Sequence, residues 1–315
     1  MNDLPCITLK NGVAIPAIGL GPGYLSPYVD LNSSSDRTRG KGLAGMWKRA
    51  IKRYRHHHLG CKYFERVQGA LEQGFRLLDY KPRYGSEHVI AKVMNECGIP
   101  REKLFLSSSA WHSALISGDV RASLMETLSN LKTEYLDLYM LPWPQGKYVE
   151  AFFSMQELQE EGYIRCLGVG NFHIQHLERL EKELGILPDV NQIEIHPLLT
   201  KKHVLEYCRD KSITVESYSP IARHDFRLFQ YDILHRIAEH HHKSAVQVIL
   251  RWHVQQGLIP IIKTLNPYHQ REALQLGDFE LSRQEMDIID SFNINSCLWF
   301  DPDNHPNVKT FDYHP

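Results

Sequence analysis

Leu77-Leu78-Asp79-Tyr80-Lys81-Pro82-Arg83-Tyr84-Gly85-Ser86-Glu87 decides how this chain is read. Phe75 to Tyr80 is a short, mostly apolar run after Gly74, the pattern of a buried strand. Pro82 and Gly85 make a tight turn. Glu87 then opens a helix with Val89, Ile90, Val93, Met94 and Cys97 on one face and Gly98 as its stop. A carboxylate, Asp79, thus sits at the strand's C-terminal end, and a phenol, Tyr84, lies on the loop beyond. In a parallel α/β barrel, chemistry is placed at that end. Alone, the stretch is equally explained as a strand-to-helix turn with a surface tyrosine. The rest of the chain decides between the two.

Outward from this stretch the same alternation repeats. Ile7 to Pro16 reads as a hairpin with an Asn11-Gly12 turn, expected to plug the N-terminal end of the fold. Ala17 to Gly21 is a first short strand. Gly19-Leu20-Gly21-Pro22-Gly23 lacks GxGxxG spacing and no amphipathic helix follows directly, which excludes a Rossmann site. Further strands are expected at Leu104–Ser109, Leu136–Leu141, Ile164–Gly170, Val190–Ile195, Thr214–Ser219 and Pro260–Lys263. Helical spacings lie between them, and Ser282-Arg283-Gln284-Glu285 is a capping box. About eight strands, nearly all followed by helices, argue a (β/α)8 TIM barrel. Asp79, Ser109, Asn171, Gln192, Tyr218 and Lys263 then all fall at strand ends facing one mouth. That makes the opening stretch a candidate site.

Composition agrees. The chain has 315 residues, 43% of them hydrophobic, and a net charge of -1. That describes a globular protein with ample core and no charge excess calling for nucleic acid. The six cysteines are scattered without CxxC or ligand-like pairs, as for reduced thiols in a cytoplasmic protein. No apolar run is long enough to span a bilayer. One domain over 1–315 is the simpler organisation, with an insertion at about 25–65 and a tail at about 293–315. A monomer or weak oligomer is expected.

From about Ile7 to Phe292 the chain resembles the aldo-keto reductase superfamily. The resemblance rests on Lys10-Asn11-Gly12 with Ile15-Pro16, Ile18-Gly19-Leu20-Gly21, and Asp79 with Tyr84-Gly85-Ser86-Glu87. It continues through Tyr135-Leu136-Asp137-Leu138-Tyr139, Trp143-Pro144, Gly168-Val169-Gly170-Asn171-Phe172 and Asn191-Gln192-Ile193-Glu194-Ile195-His196-Pro197. It ends with Tyr218-Ser219-Pro220 and Lys263-Thr264. Together these pieces are highly specific; singly each is weak. The resemblance implies reduction of aldehydes and ketones with NADPH, a tyrosine giving the proton, a lysine and an aspartate tuning it, and a histidine orienting the carbonyl. Asp79 and Tyr84 match two of the four. The lysine position falls on Ser109 and the histidine position on Pro142.

A phenol is protonated at neutral pH, so Tyr84 can still donate. The missing groups are the cation that stabilises a forming phenolate and the donor that holds the substrate oxygen. Losing one such donor costs on the order of 10²–10³ in rate. Ordinary carbonyl reduction by the usual mechanism is therefore expected to be slow. Lys81 and His112 are the candidates to substitute; the alternative is that each is a solvated loop side chain.

On the cofactor side the resemblance implies that Asn171 and Gln192 hold the nicotinamide carboxamide and that Tyr218, with Ser219 beside it, stacks on the ring. Gly170 stands where the family has serine. Lys263 and Thr264 match the residues that grip the adenosine 2′-phosphate. His269 replaces an arginine, Glu272 is kept, and Ala273 replaces an asparagine. An ammonium and a hydroxyl still bind phosphate, but the bidentate guanidinium is gone. NADP(H) is the expected cofactor, bound more weakly than usual.

The insertion at about Leu25 to Glu65 is longer than in most relatives. It carries a polar run, Ser33-Ser34-Ser35-Asp36. Then comes an amphipathic helical pattern over Met46 to Arg55, with Trp47, Ile51 and Tyr54 as its apolar stripe among Lys48, Arg49, Lys52, Arg53 and Arg55. A loop here emerges at the catalytic face. It reads either as a solvated surface helix or as a lid for an anionic substrate or the cofactor phosphates. His56-His57-His58 and His240-His241-His242 show no acidic or cysteine partner, so no metal is expected. Tyr24, Trp111 and Trp299 are candidate substrate contacts. The leading expectation is an NADP(H)-dependent reductase with an unusual, anionic small-molecule substrate. The rivals are a non-redox isomerase or lyase using Asp79, Tyr84 and Lys81, and a module that senses a bound nucleotide.

Overall fold

The computed structural model describes residues 6–23, 60–82 and 85–298, apart from the side chain of His112. Eight parallel strands close into a barrel. They are β3 (Gly19–Leu20), β4 (Leu77–Asp79), β5 (Phe105–Ser109), β6 (Leu136–Leu141), β7 (Ile164–Gly170), β8 (Val190–Glu194), β9 (Thr214–Tyr218) and β10 (Ile259–Ile262). Closure pairs the first strand with the last, Gly19 with Ile261 and Leu20 with Ile262. Before them, β1 (Cys6–Thr8) and β2 (Ala14–Pro16) form the expected antiparallel hairpin.

Several expected strands are shorter at their ends, for a local reason. The run from Phe75 becomes a strand only at Leu77, because the N–H groups of Gly74 and Phe75 cap the preceding helix through Leu71 O and Ala70 O. That helix, α1 (residues 60–73), buries Tyr63, Val67, Ala70 and Leu71 at helical spacing. The others are α2 (Glu87–Glu96), α3 (His112–Ser117), α4 (Arg121–Leu131), α5 (Tyr148–Glu160), α6 (Ile174–Leu184), α7 (Lys202–Asp210), α8 (Phe226–Phe229), α9 (Asp232–His240), α10 (Ala245–Gln255), α11 (Pro267–Leu274) and α12 (Arg283–Asp290). Of these, α3, α8 and α11 lie in loops with no strong apolar period and were not expected. The capping box at Ser282 and Glu285 forms as expected.

The barrel interior is a core of its own. Leu77, Phe105, Leu138, Met140, Cys166, Val190, Ile259 and Ile261 fill it. Packing is close enough to require glycine at Gly168, where a Cβ would stand 2.3 Å from Met140 Cγ. Leu9 and Ile15 of the hairpin join this interior group, so the hairpin does cover the N-terminal end. It is tied there by Lys10 Nζ donating to Leu187 O (2.6 Å) and Asn11 Nδ2 donating to Arg165 O (3.2 Å). Toward the same end, fully buried Asp137 pairs with Arg101 and Arg165, each at 2.8 Å. That motif aspartate is structural. The opposite, C-terminal end is left for chemistry.

Candidate active site

Strand alternation sends every second side chain into the lumen. On β4 that rule puts Leu77 and Asp79 inside. Asp79 is buried and accepts from Ser107 Oγ of β5 (3.1 Å). Its other partner is Lys81, two residues on, with Nζ 2.8 Å from Oδ1 and a side chain only 12% exposed. The solvated-loop alternative for Lys81 is therefore wrong: Asp79 turns the ammonium inward. Ser109, expected at the family's lysine position, is buried at the end of β5. An ammonium thus sits at this mouth, supplied by the loop after β4 rather than by β5.

The neighbouring half of the mouth is a hydrogen-bonded set. Tyr218 OH donates to Asn171 Oδ1 (2.8 Å), and Asn171 Nδ2 donates to Pro142 O (3.0 Å). The Asn171 N–H donates to Gln192 O (2.9 Å), which holds this residue at φ 63, a left-handed conformation that asparagine tolerates. Three strand ends therefore fix one residue. Gly170 lies under the Pro142 carbonyl, where a Cβ would come within 3.0 Å of that oxygen. Gly170 and Pro142 thus adjoin in space.

Gln192 is buried, and its Nε2 donates to Glu216 Oε2 (2.7 Å). Glu216 is fully buried and was missed in the sequence. Period-two reading of Thr214-Val215-Glu216-Ser217-Tyr218 would have found it, since Glu216 shares Tyr218's face. Burial pushes its carboxyl up to about 8; the charge of Asp79 adds to this, while Lys81 and the Gln192 hydrogen bond oppose it. On the other face, Ser217 Oγ lies 3.0 Å from Nδ1 of His253, whose Nε2 meets Pro220 O at 3.0 Å. Burial holds this imidazole down at about 3, so it is a neutral packing group.

Lys263 and Thr264 follow β10, the former exposed and the latter half-buried. The Lys263 stem runs against Gly23, where a Cβ would meet Lys263 Cε at 2.3 Å and where φ is +75. Helix α11 starts just beyond, capped by Asn266, whose side chain accepts from Tyr268 N. Thr264 Oγ1 accepts from Asn266 N (3.1 Å). A cation, a hydroxyl and a helix N-terminus thus converge after the last strand, the usual phosphate position of such barrels. His269 is exposed and Glu272 half-buried on α11, and Ser219 follows Tyr218 at φ 51.

Trp111 is half-buried at the N-cap of α3, its N–H donating to Ser123 Oγ (3.2 Å). His112 opens that helix. Tyr84, Tyr24, Trp299 and the Met46–Arg55 pattern lie outside the described residues, as does His56-His57-His58. The ends of the insertion are described. Tyr63 OH donates to Gly23 O (3.1 Å) and lies 2.9 Å from Ser86 Oγ, tying departure and return together. The C-terminal segment docks beside the mouth, where Glu194 accepts from Leu298 N (2.7 Å) and Cys297 Sγ (3.2 Å).

One expectation about metals needs correction. The second histidine run does have an acidic partner: ligand atoms of His240, His241 and Glu285 lie within 4.8 Å of one another. Both rings bond to the same Glu285 oxygen, at 3.3 and 2.9 Å, while its other oxygen caps α12 through Ser282. The group is satisfied as a helix-capping cluster.

Comparison with known proteins agrees with this geometry. Residues 61–294 match the Aldo/keto reductase family. Glyoxal reductase of Bacillus subtilis is 37% identical over 245 residues, covering 78% of this chain and 88% of the relative. Methylglyoxal reductase DkgA of Escherichia coli K12 is 35% identical over 240 residues, covering 75% and 86%. Among solved structures, an aldo-keto reductase of Bombyx mori in complex with NADP superposes with a TM-score of 0.78 at 26% identity, over 98% of this chain and 99% of that one. A closed barrel, a polar C-terminal mouth and a family match over most of the chain lead to one conclusion: this chain belongs to the aldo/keto reductase family of oxidoreductases.

Proposed function

We propose that this chain is an NADPH-dependent reductase of small carbonyl compounds whose tuning lysine is Lys81. The observation that carries the reading is the buried Lys81–Asp79 ion pair, 2.8 Å long. Bound at Gln192, Asn171, Tyr218, Lys263 and Thr264, NADPH would supply a hydride for the carbonyl carbon. Tyr84 gives its hydroxyl proton to the carbonyl oxygen. Lys81, three residues before Tyr84, supplies the positive charge that makes this proton easier to give, and Asp79 holds Lys81 in place. What an ammonium does for a phenol depends on where its charge sits, not on which strand delivers it. Ser109 at the family's lysine position is therefore a relocation rather than a loss. Pro142 remains a deficit, since proline offers no side-chain donor for the substrate oxygen.

The residues suit a nicotinamide dinucleotide. Gln192, Asn171 and Tyr218 line one side of the mouth. Lys263, Thr264 and the start of α11 form an anion cradle whose lysine stem packs against Gly23. That cradle supports NADP(H) over NAD(H), with His269 and Glu272 on the adenosine side. The named activities of the relatives, glyoxal and methylglyoxal reduction, support a small reactive carbonyl as substrate. The basic run from Lys48 to Arg55 supports one that also carries negative charge.

The test is steady-state NADPH consumption with methylglyoxal and with glyoxylate, its anionic counterpart in size. Turnover that falls by on the order of 10² or more in Lys81→Met, with NADPH affinity kept, is the expected result. Bound NADPH with no consumption on any carbonyl would sink the reductase reading in favour of a non-redox or sensing role.

A further inference from the structure

Three ionisable groups meet beneath the mouth, and only two have a role so far. Residues 214, 216 and 218 share one face of β9. Tyr218 is at the mouth; Val215 belongs to the outer core and Ser217 faces His253 of α10. Glu216 therefore points into the lumen, one layer below Tyr218. The residues that pair with it are Gln192 on β8 and Ile259 on β10. The charged groups acting on it are Asp79 of β4 and Lys81 of the following loop. Asp79 and Glu216 are buried and the ammonium acting on both is Lys81, so a second ionised carboxyl would stand uncompensated at low dielectric, which favours one carboxyl keeping its proton. Asp79 has the ammonium at 2.8 Å and the Ser107 hydroxyl at 3.1 Å. Glu216 has one amide hydrogen bond on Oε2, and its buried Oε1 has no partner among the described residues. The proton therefore belongs on Glu216.

Gln192 adds the second half of the argument. With Nε2 bonded to Glu216, its Oε1 is left to accept from a carboxamide N–H above. We propose that Glu216 is a positioning residue for the nicotinamide site: protonated, it fixes the Gln192 amide and leaves the Asp79–Lys81 pair balanced; deprotonated, it places a second negative charge beneath the ring and shifts binding from the reduced toward the oxidised cofactor. The inference rests on the reading of Gln192 and Tyr218 as nicotinamide contacts. Its chemical basis is that the oxidised ring carries a positive charge and the reduced ring does not. The 2′-phosphate and its neighbours Lys263 and His269 act on both forms alike, so their titration cancels in the ratio of the two affinities.

The experiment measures binding of NADP⁺ and NADPH by calorimetry between pH 6 and 9.5, with native protein, Glu216→Gln and Glu216→Ala. In the native protein the preference for NADP⁺ over NADPH should rise about tenfold with a midpoint near 8, the scale of one charge acting on another across a partly buried site. Glu216→Gln keeps an acceptor for Gln192 but cannot ionise, so its ratio should be flat. Glu216→Ala should be flat and also bind both forms several-fold more weakly. A flat native ratio, or a step that survives in Glu216→Gln, overturns the proposal while leaving the cofactor assignment intact. Failure of the native protein to bind either form at any pH overturns the assignment itself and the proposal with it. Thermal unfolding gives an independent readout. A carboxyl whose folded pKa is raised from 4.5 to about 8 holds more protons folded than unfolded in that window. Its contribution to stability is therefore lost as pH rises from about 4.5 through 8. Relative to native, Glu216→Gln should gain stability across that range, and an unchanged difference between pH 5 and 9 would count against a protonated Glu216.

Discussion

The two halves of the barrel mouth are built differently. From β7 to β9, backbone and side chain hold one another: Asn171 alone is bonded to Tyr218, to Pro142 O and to Gln192 O. From β4 to β6, the barrel is equally regular, yet among the described residues the ammonium paired with Asp79 comes from the loop after β4, on Lys81. The contrast follows from what each half must do. Binding a flat, amide-bearing ring needs donors and acceptors at fixed angles, which few residues at few positions supply. Tuning a phenol needs a charge within a few ångströms, which several backbone positions can deliver.

The largest expected effect tests the relocated charge. Lys81→Met should lower kcat by on the order of 10²–10³ while the NADPH affinity stays within about twofold. Stopped-flow turnover and fluorescence titration together check this, and an active Lys81→Met variant would erase the contrast between the halves. Next is the repair of the altered half. Pro142→His should raise kcat/KM toward small aldehydes by roughly tenfold or more, because it restores a donor for the substrate oxygen. Ser109→Lys alone should add little with Lys81 already present, and the double variant should fall short of the product of the two, since both groups act on one oxygen. A large gain from Ser109→Lys alone would mean that Lys81 is not the tuning cation.

After β10, Lys263→Ala should weaken NADPH binding by about tenfold and NADH binding hardly at all, the loss of one charge-assisted contact to phosphate. Equal losses for both nucleotides would break the assignment of the cradle. The smallest effect concerns the insertion. KM for glyoxylate should rise a few-fold between low salt and about 0.3 M salt, where exposed charges are screened beyond roughly 6–8 Å. Replacing Lys48, Arg49, Lys52 and Arg53 by glutamine should remove that response; an identical salt curve in the variant would leave the basic run without a part in substrate capture.

The barrel was legible because its strands are apolar runs punctuated by Gly and Pro, and Leu136–Leu141 and Ile164–Gly170 appear with the limits read from the sequence. Strand ends were less so. Whether the N–H of Phe75 serves a helix or a sheet depends on packing of α1, which no local pattern encodes. In the site, Asp79, Asn171, Gln192 and Tyr218 were found because motifs mark them. Lys81 was ambiguous, as a loop lysine turns inward only if a buried anion waits for it, and the partner lies two residues back in a different element. Glu216 was missed although its alternation with Tyr218 was visible. A charged residue inside a strand reads as solvent-facing until the strand is known to be enclosed on both sides. Glu285 escaped as a partner of His240 and His241 because 44 residues separate it from His241.

The hairpin that covers the N-terminal end has a consequence for how the molecule is made. It is the first described element to leave the ribosome, yet its anchors, Arg165 O and Leu187 O, are 154 and 177 residues further along the chain. The first barrel strand waits longer still, for Ile261 and Ile262. Synthesis at about 5–20 residues per second leaves these apolar edges uncovered for on the order of ten seconds or more. Leu9, Ile15 and Leu20 are therefore apolar residues that a nascent-chain chaperone can cover in that interval, and the floor of the barrel is laid only after half of its walls have been translated.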